Sequence, residues 1–265
     1  FVIVFHLGIA GVAYATIISQ FLSAALVLAV LTMDDGGYRL VWKDLSVDKN
    51  TLKQILSIGL PAGLQQSLTS FSNVYVQSYI NYFGSACMAG WSCYTKIDQF
   101  IFLPLQSMNQ AATTFVSQNY GAGNLRRCRL CTRTGIFLDL CGMAIMSVFC
   151  LGFAGPIIGL FSSDPEVIRL GVIRVWYVVL PESINVFLEV LSDALRGYGI
   201  STPPALIALF GICGFRLAWI FLYFPHSPTF ETLMAVFGLS WAITAFFLAI
   251  AYVWYMRRLE AAARA

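Results

Sequence analysis

The sequence is short of charge. Only 11% of its 265 residues are Asp, Glu, Lys or Arg, less than half the share of about 25% expected of a soluble globular domain. A water-soluble fold of this size would be hard to coat with so few charged side chains. The two histidines, His6 and His226, are too isolated to support a site.

Motifs for metal, nucleotide and catalytic chemistry are also missing. Cys128 and Cys131 form a CxxC pair, but no second Cys/His pair stands at a metal-ligand spacing, and structural zinc needs four ligands. No GxxxxGK[ST] phosphate loop is present, and no nucleophile–base arrangement suggests an enzyme. We therefore expect no metal, no cofactor, no nucleic-acid partner and no enzymatic activity.

The sequence is instead rich in long runs of hydrophobic residues. Hydrophobic residues make up 58% of the chain, and its mean hydropathy of +0.76 comes from long apolar runs, as a bilayer core about 30 Å thick requires. Read with a window of about 19 residues, the sequence predicts an all-α integral membrane protein with about seven transmembrane helices. The predicted spans are 10–32, 57–83, 94–118, 131–153, 172–195, 205–224 and 232–256.

A polar segment, 33–53, separates the first two spans. Asp34–Gly37 (DDGG) indicates a turn, and the pattern over 46–58 has one apolar and one charged face. Such a pattern is typical of a helix lying in the membrane interface. We therefore predict a separate interfacial helix there.

Basic residues predict the orientation, because short cytoplasmic loops accumulate Lys and Arg. Twelve of the sixteen Lys and Arg residues follow odd-numbered spans: Arg39, Lys43, Lys49, Lys53, Arg126, Arg127, Arg129, Arg133, Arg196, Arg257, Arg258 and Arg264. This distribution predicts a cytoplasmic C-terminus. Since the chain begins at Phe1 inside an apolar stretch without an initiator Met, we also expect a further N-terminal part to precede it.

The second span carries a polar stripe. Gln66, Ser70, Asn73, Gln77 and Asn81 share one helical face. Such groups would be poorly satisfied in lipid, so they must face other helices or a wet cavity. Interhelical hydrogen bonding and a cavity lining both remain possible.

The third span has a similar face around Pro104, with Asp98, Gln106 and Asn109. Lys96 lies close enough to the end of the span for its amine to snorkel outward, and it is unlikely to pair with Asp98 two positions along a helix. Asp98 is either a functional acid or a buried structural one.

The fifth span places Glu182, Asn185, Glu189 and Asp193 on one face. A charge at the bilayer centre costs about 2.5–3.5 kcal/mol on an insertion scale, so such acids usually face the interior and mark ion or proton pathways. We predict that Glu182 or Glu189 contacts the substrate or the coupling ion, the alternative being a buried structural acid. Asp193 and Arg196 could form a simple pair at the helix end.

Several motifs resemble the multidrug and toxic compound extrusion (MATE) family. They are Ile58–Gly63 (IGLPAG), Lys96–Asp98 (KID), Ala111–Asn124 (AATTFVSQNYGAGN), Phe161–Ile168 (FSSDPEVI) and Ala194–Gly199 (ALRGYG). The resemblance covers nearly the whole chain and implies a two-lobed transporter of twelve helices. Residues 1–32 would then be the last helix of the N-terminal lobe, 33–56 a cytoplasmic linker, 57–256 the six-helix C-terminal lobe and 257–265 a cytoplasmic tail.

The resemblance also implies a function. MATE proteins are multi-pass proteins of the plasma membrane that export organic, often cationic, compounds and drugs by antiport with protons or sodium, alternating between outward and inward openings. The lipid bilayer and the missing N-terminal lobe would be partners of this chain. One branch binds its cation with an acid in the helix that matches span two, where this chain has only Gln65, Gln66 and neighbours, and another in span five, where Asn185 falls close. This departure puts a sodium site of that kind in doubt.

Two alternatives remain open at this point. One is a lipid-linked oligosaccharide flippase of the same superfamily, which would prefer a cavity lined by cations such as Arg174, Arg216 and Lys96. The other is a truncated membrane protein that does not transport.

Overall fold

The computed structural model describes residues 2, 4–33 and 39–264. These residues are almost entirely helical and contain no strand. The turn predicted at Asp34–Gly37 lies outside the described residues. The chain divides into two units, Phe1–Leu52 and Lys53–Ala265, which are taken in turn.

The first unit is built on α1, Gly8–Met33. Its 26 residues would span about 39 Å at 1.5 Å per residue, enough to cross a bilayer core. After the helix, the Arg39 Nε donates to the Thr32 carbonyl at 3.1 Å. A short 3₁₀ turn, Trp42–Asp44, follows.

The separate interfacial helix predicted over 46–58 is wrong. Helix α2 begins at Lys49 and runs without a break to Ile80, so most of that segment forms its first turns. Asp48 caps the helix, accepting from the Thr51 backbone N–H at 2.7 Å and the Thr51 hydroxyl at 2.8 Å. These bonds to Thr51 lower the pKa of the Asp48 carboxyl below its usual value. No helix-breaking residue lies between this cap and Gly59.

Pro61 lies inside α2 without ending it. A proline has no N–H, so the carbonyl four residues earlier loses its helical partner. Here that carbonyl belongs to Ser57, and it accepts a hydrogen bond of 2.9 Å from the hydroxyl of Ser201, near the start of another helix. The bond satisfies the freed carbonyl and joins two helices of the second unit.

The rest of the second unit consists of seven helices. They are α3 (Ser85–Gly121), α4 (Leu125–Gly152), α5 (Ala154–Gly159), α6 (Pro165–Val179), α7 (Glu182–Gly197), α8 (Thr202–His226) and α9 (Phe230–Arg264). Helix α8 contains two π-helical segments, Leu209–Gly214 and Trp219–Tyr223. Each predicted span falls on one helix except the fifth, which α6 and α7 share.

Local sequence explains where these helices start. Asn124 caps α4 by accepting from the Arg127 N–H at 3.1 Å. Asp164 caps α6 through the Glu166 N–H at 2.9 Å, with Pro165 in the first turn, where proline's missing donor is harmless. Pro181 separates α6 from α7.

Among the described residues, four helices, α1, α4, α8 and α9, are long and apolar enough to cross a membrane by length and composition. Helices α2 and α3 are longer than α4, at 32 and 37 residues, but carry polar faces that lower their mean hydropathy. The chain is thus an all-α integral membrane protein. Within the second unit, α3 packs against α4, α6 and α7, and α9 packs against α6 and α7, which leaves α7 largely buried.

Candidate ion and substrate site

The candidate site lies where the break between α6 and α7 meets α3. A Cβ added at Gly90 would lie 3.1 Å from the Gly171 N, and one added at Gly197 would lie 2.9 Å from the Val116 Cγ1. Gly171 follows Gly90 by 81 residues, and Gly197 follows Val116 by the same number. Helix α3 therefore runs parallel to α6 and α7, with a constant offset of 81 residues. This offset places Asp98 level with the break between α6 and α7, within one helical turn of Glu182.

Glu182 is the first residue of α7 and only 4% exposed. Its Oε1 accepts from the Asn185 Nδ2 at 2.6 Å. On α3, Asp98 is partly buried and accepts at 2.9 Å from the hydroxyl of Tyr94. The charges of Glu182 and Asp98 interact. The structure thus brings together Glu182, Asn185 and Asp98.

The buried Arg174 on α6 supplies a positive charge beside this pair of acids. Its guanidinium lies 3.0 Å from the ring centroid of Trp91 and 4.4 Å from that of Tyr94. The Nη1 atom donates to the Trp91 carbonyl at 3.0 Å. Arg174 and Asp98 interact electrostatically without forming an ion pair within 4 Å. A second positive charge entering this site would therefore meet two acids but also one fixed cation.

Glu189 lies two turns further along α7. It is partly buried and makes no hydrogen bond or ion pair with any residue the structure describes. Its charge interacts with those of Asp193 and Arg196. Because its carboxylate is not bound by a protein group, Glu189 is the acid of α7 most available to an ion or substrate.

Asp193 and Arg196 form the pair predicted for the helix end, at 2.5 Å. Arg196 also donates from Nη2 to the Gln65 Oε1 of α2 at 2.9 Å. This three-residue chain ties the end of α7 to α2. Gln66 was the residue predicted from the sequence, but Gln65 is the buried residue of the two and Gln66 is exposed.

The remaining polar stripe of α2 is divided. Asn73 bonds inside the unit, its Oδ1 accepting from the Arg216 Nη1 at 2.6 Å, so it forms a hydrogen bond between α2 and α8. Gln77, like Gln66, is exposed on the surface of the described chain. Of the two uses left open for this stripe, Asn73 supports the first, and Gln66 and Gln77 remain candidates for the second.

Lys96 lies apart from the acids. Its Nζ is 5.6 Å from the ring centroid of Phe161, in the loop before α6, and the side chain is exposed. It forms no ion pair with Asp98 in the part of the chain described. That its amine snorkels toward the end of the span stays a prediction.

Asn109 is buried in α3, at 6% exposure, and lies about three helical turns beyond Asp98. The acid nearest to it in register is Asp139 of α4, which is fully buried and was not among the residues predicted from the sequence. The signal was present, since Asp139 is an acid inside an apolar run, Phe137–Cys141, and an acid at membrane depth calls for explanation.

With this geometry described, comparison with known proteins identifies the family. A family model described as MatE matches residues 61–222, more than half of the chain. The chain belongs to the MatE family. The match includes all of α3 to α7, and so every carboxylate of the candidate site.

Curated relatives carry multidrug resistance names. The probable multidrug resistance protein YoeA of Bacillus subtilis (strain 168) is 27% identical over 234 residues, covering 86% of this chain and 50% of that protein. The probable multidrug resistance protein NorM of Thermotoga maritima is 26% identical over 218 residues, covering 82% and 47%. This MatE chain therefore spans about half the length of the curated relatives it matches.

Solved structures share the fold. A MATE crystal structure in complex with MaL6 has a TM-score of 0.88 at 19% identity, covering 98% of this chain and 59% of that one. The Vibrio cholerae MATE transporter VcmN in the bent form has a TM-score of 0.79 at 23% identity, covering 98% and 58%. At these identities the likeness shows the helical arrangement alone.

The comparisons do not favour the oligosaccharide flippase. The geometry of the two deep cations also speaks against it. Arg174 is stacked on Trp91, and Arg216 is 2% exposed, with its Nε 3.1 Å from the Ser240 Oγ. Both guanidinium groups are thus engaged inside this MatE unit rather than lining an open surface.

Proposed function

We propose that this MatE chain is part of a secondary active transporter that exports organic, often cationic, compounds by antiport with protons or sodium. Together with an N-terminal lobe, residues 57–256 would form the C-terminal lobe of a twelve-helix protein. Residues 1–32 would be the last helix of the other lobe, 33–56 the cytoplasmic linker and 257–265 a tail. The proposal rests on the family, on the names of the relatives and on the acids of α3 and α7.

The observation that carries the proposal is the placement of the acids. Glu182, Glu189 and Asp98 lie on two adjacent parallel helices inside a unit of very low charge. Three negative charges in such a place are costly unless a cation or a proton neutralises them. An ion that binds there therefore changes the free energy of the surrounding packing, and differential binding of this kind is what shifts a protein between two conformations.

The break at Pro181 would allow α7 to move when the charge of Glu182 changes. Glu182 starts α7 directly after the break, whereas Asp98 lies within the unbroken α3. A change in charge at Glu182 would therefore act on a helix end, where the backbone is not held by a continuous hydrogen-bond ladder. The Asp193–Arg196–Gln65 chain would pass a movement of α7 on to α2.

The substrate would reach the same acids from the exposed side of the unit. Glu189 has a free carboxylate, and an organic cation binds readily to an unpaired acid in a partly dry cavity. Gln66 and Gln77 on α2 would supply hydrogen bonds. Competition between the exported cation and the coupling ion for one set of acids is the simplest form of antiport.

The loop charges support an orientation, and the family supports a location. The excess of Lys and Arg after α1, α3, α7 and α9 supports a cytoplasmic C-terminus. We propose a multi-pass protein of the plasma membrane.

Charge-removing variants of the α7 acids test the proposal. In the full-length protein in vesicles, Glu182→Gln and Glu189→Gln should each lower ion-driven efflux of a fluorescent organic cation at least tenfold, because they remove the charge and keep the volume. Arg257→Ala, exposed near the C-terminus, is the matched control and should transport normally. Unchanged efflux in both Gln variants, with normal insertion, would remove these acids from the mechanism.

A further inference from the structure

Asp139, in the middle of α4, is a buried acid that the proposed efflux mechanism does not use. Its side chain is 0% exposed. Neither carboxylate oxygen accepts a hydrogen bond from any protein group in the described part of the chain. An ionised carboxylate in apolar surroundings is strongly destabilised, and such a group normally becomes neutral instead.

The packing of α4 on α3 shows which residue faces Asp139. A Cβ added at Gly135 would lie 3.1 Å from the Ala112 Cβ, and one at Gly142 would lie 3.4 Å from the Leu105 Cδ2. The two helices are thus antiparallel in a fixed register. Asp139 follows Gly135 by four residues, and Asn109 precedes Ala112 by three, so both lie on the contact faces at the same level.

Asn109 is itself buried and incompletely bonded. Its side chain is 6% exposed, and its Oδ1 has no hydrogen-bond partner in the described residues. Two buried groups at one level therefore both present acceptor oxygens without a partner, and the Asn109 Nδ2 donates to neither Asp139 oxygen in the structure. A proton on Asp139 resolves the conflict, since a protonated carboxyl group is a donor as well as an acceptor.

The other elements packed against α4 place few charges near Asp139. From α7, Asp193 interacts electrostatically with it, and Asp193 is already paired with Arg196. From α6, Arg174 contacts Trp91, which is 18 residues from Asn109, or about 27 Å along α3. Helix α5 has no titratable side chain. Among the described residues, no Lys or Arg forms an ion pair with Asp139.

On α3 the nearest acid, Asp98, is 11 residues from Asn109, or about 16 Å along the helix. Tyr120 lies equally far in the other direction. On α4 itself, Arg133 and Cys141 are the nearest titratable residues, and neither forms a hydrogen bond or ion pair with Asp139. The site is therefore separate from the Glu182–Asp98 pair.

We propose that Asp139 binds a proton and, as a carboxylic acid, donates a hydrogen bond through it to the Asn109 Oδ1, which makes the α3–α4 interface a second proton-binding site of this chain. When the proton leaves, the carboxylate faces the acceptor of Asn109 and the nearby charge of Asp193. Deprotonation removes the hydrogen bond to the Asn109 Oδ1 and adds repulsion from Asp193, so it loosens α4 against α3 and α7. A role for this site in transport rests on the proposed antiport, whereas the protonation itself does not.

Infrared difference spectroscopy tests the protonation directly. The full-length protein in lipid nanodiscs at neutral pH is compared with Asp139→Asn, in H₂O and in D₂O. We expect a carboxylic-acid C=O band that shifts in D₂O and that the variant lacks. The exposed Asp44→Asn is the control and should keep the band. If Asp139→Asn retains the full carboxylic-acid signal, Asp139 is ionised and the proposal is overturned.

A second variant tests the partner and also serves if Asp139→Asn fails to fold. Asn109→Leu removes the acceptor, so the same C=O band should persist but move in frequency because its O–H loses its hydrogen bond. An unmoved band would remove Asn109 from the site. A protein that shows the Asp139 band but no efflux would sustain this site and contradict the proposed function.

Discussion

Replacing Gly211 by Ala should destabilise the packing of α8 against α9. Gly211 lies in the first π-helical segment of α8 and directly faces Thr244 of α9. A Cβ at this position would lie inside the van der Waals distance of the Thr244 Oγ1, 3.1 Å from its Cβ and 3.2 Å from its Cα. The last of these is a backbone atom, so a rotamer change at Thr244 cannot relieve every contact.

The structure indicates the size of the effect. Thr244 is 0% exposed, and its hydroxyl donates to the Ser240 carbonyl at 2.7 Å, so the side chain has little room to move. Adding a methyl group to a tightly packed interface typically costs about 1–3 kcal/mol. The higher helix propensity of Ala relative to Gly would offset at most about 1 kcal/mol of this cost. Subtracting that gain in full leaves a net loss of up to about 2 kcal/mol.

The assay is the thermal unfolding of the purified protein in detergent. Gly214→Ala is the matched control, since the nearest neighbouring atom to its new Cβ would be the Leu209 carbonyl oxygen at an ordinary 3.7 Å. Gly211→Ala should unfold at a lower temperature than Gly214→Ala, and adding Thr244→Ala should recover part of the difference. Equal midpoints for the two glycine variants would refute the close approach of α8 and α9.

Two further substitutions test the bonds that hold α2 to the unit. Ser201→Ala should cost about 1–3 kcal/mol, because the Ser57 carbonyl freed by Pro61 would be left without a donor; thermal unfolding as stable as that of the parent protein would contradict this. Arg216→Met should cost about 3 kcal/mol or more, because it removes charge-assisted bonds to two other helices; a protein that keeps its unfolding midpoint and resists proteolysis of α2 would show that Asn73 does not need this partner.

The sequence predicted the helices well because their signals are local. Each predicted apolar span coincides with one helix or, for the fifth, with α6 and α7, and the i, i+3 spacing predicted the Asp193–Arg196 pair. The interfacial helix was wrong because an amphipathic pattern does not say where a helix stops. The segment has two unlike faces, but it lacks a helix-breaking residue between its cap at Asp48 and Gly59.

The site depended on information that local patterns do not contain. That Asp98 lies beside Glu182 follows from the close approaches at Gly90 and Gly197, which fix the register of α3 against α6 and α7. Gln65 and Gln66 point in directions about 100° apart around the helix axis, and only the packing of α2 determines which of the two is buried. Asp139 could have been found from its apolar neighbours alone, but its relation to Asn109 depends on the antiparallel register of α3 and α4.

The most direct test of the proposed antiport is efflux of a fluorescent organic cation by the full-length protein in vesicles, with proton and sodium gradients imposed separately. The account predicts efflux that depends on at least one of these gradients and that stops when the gradient is collapsed. Vesicles containing verified, folded protein that show no efflux under either gradient would contradict it.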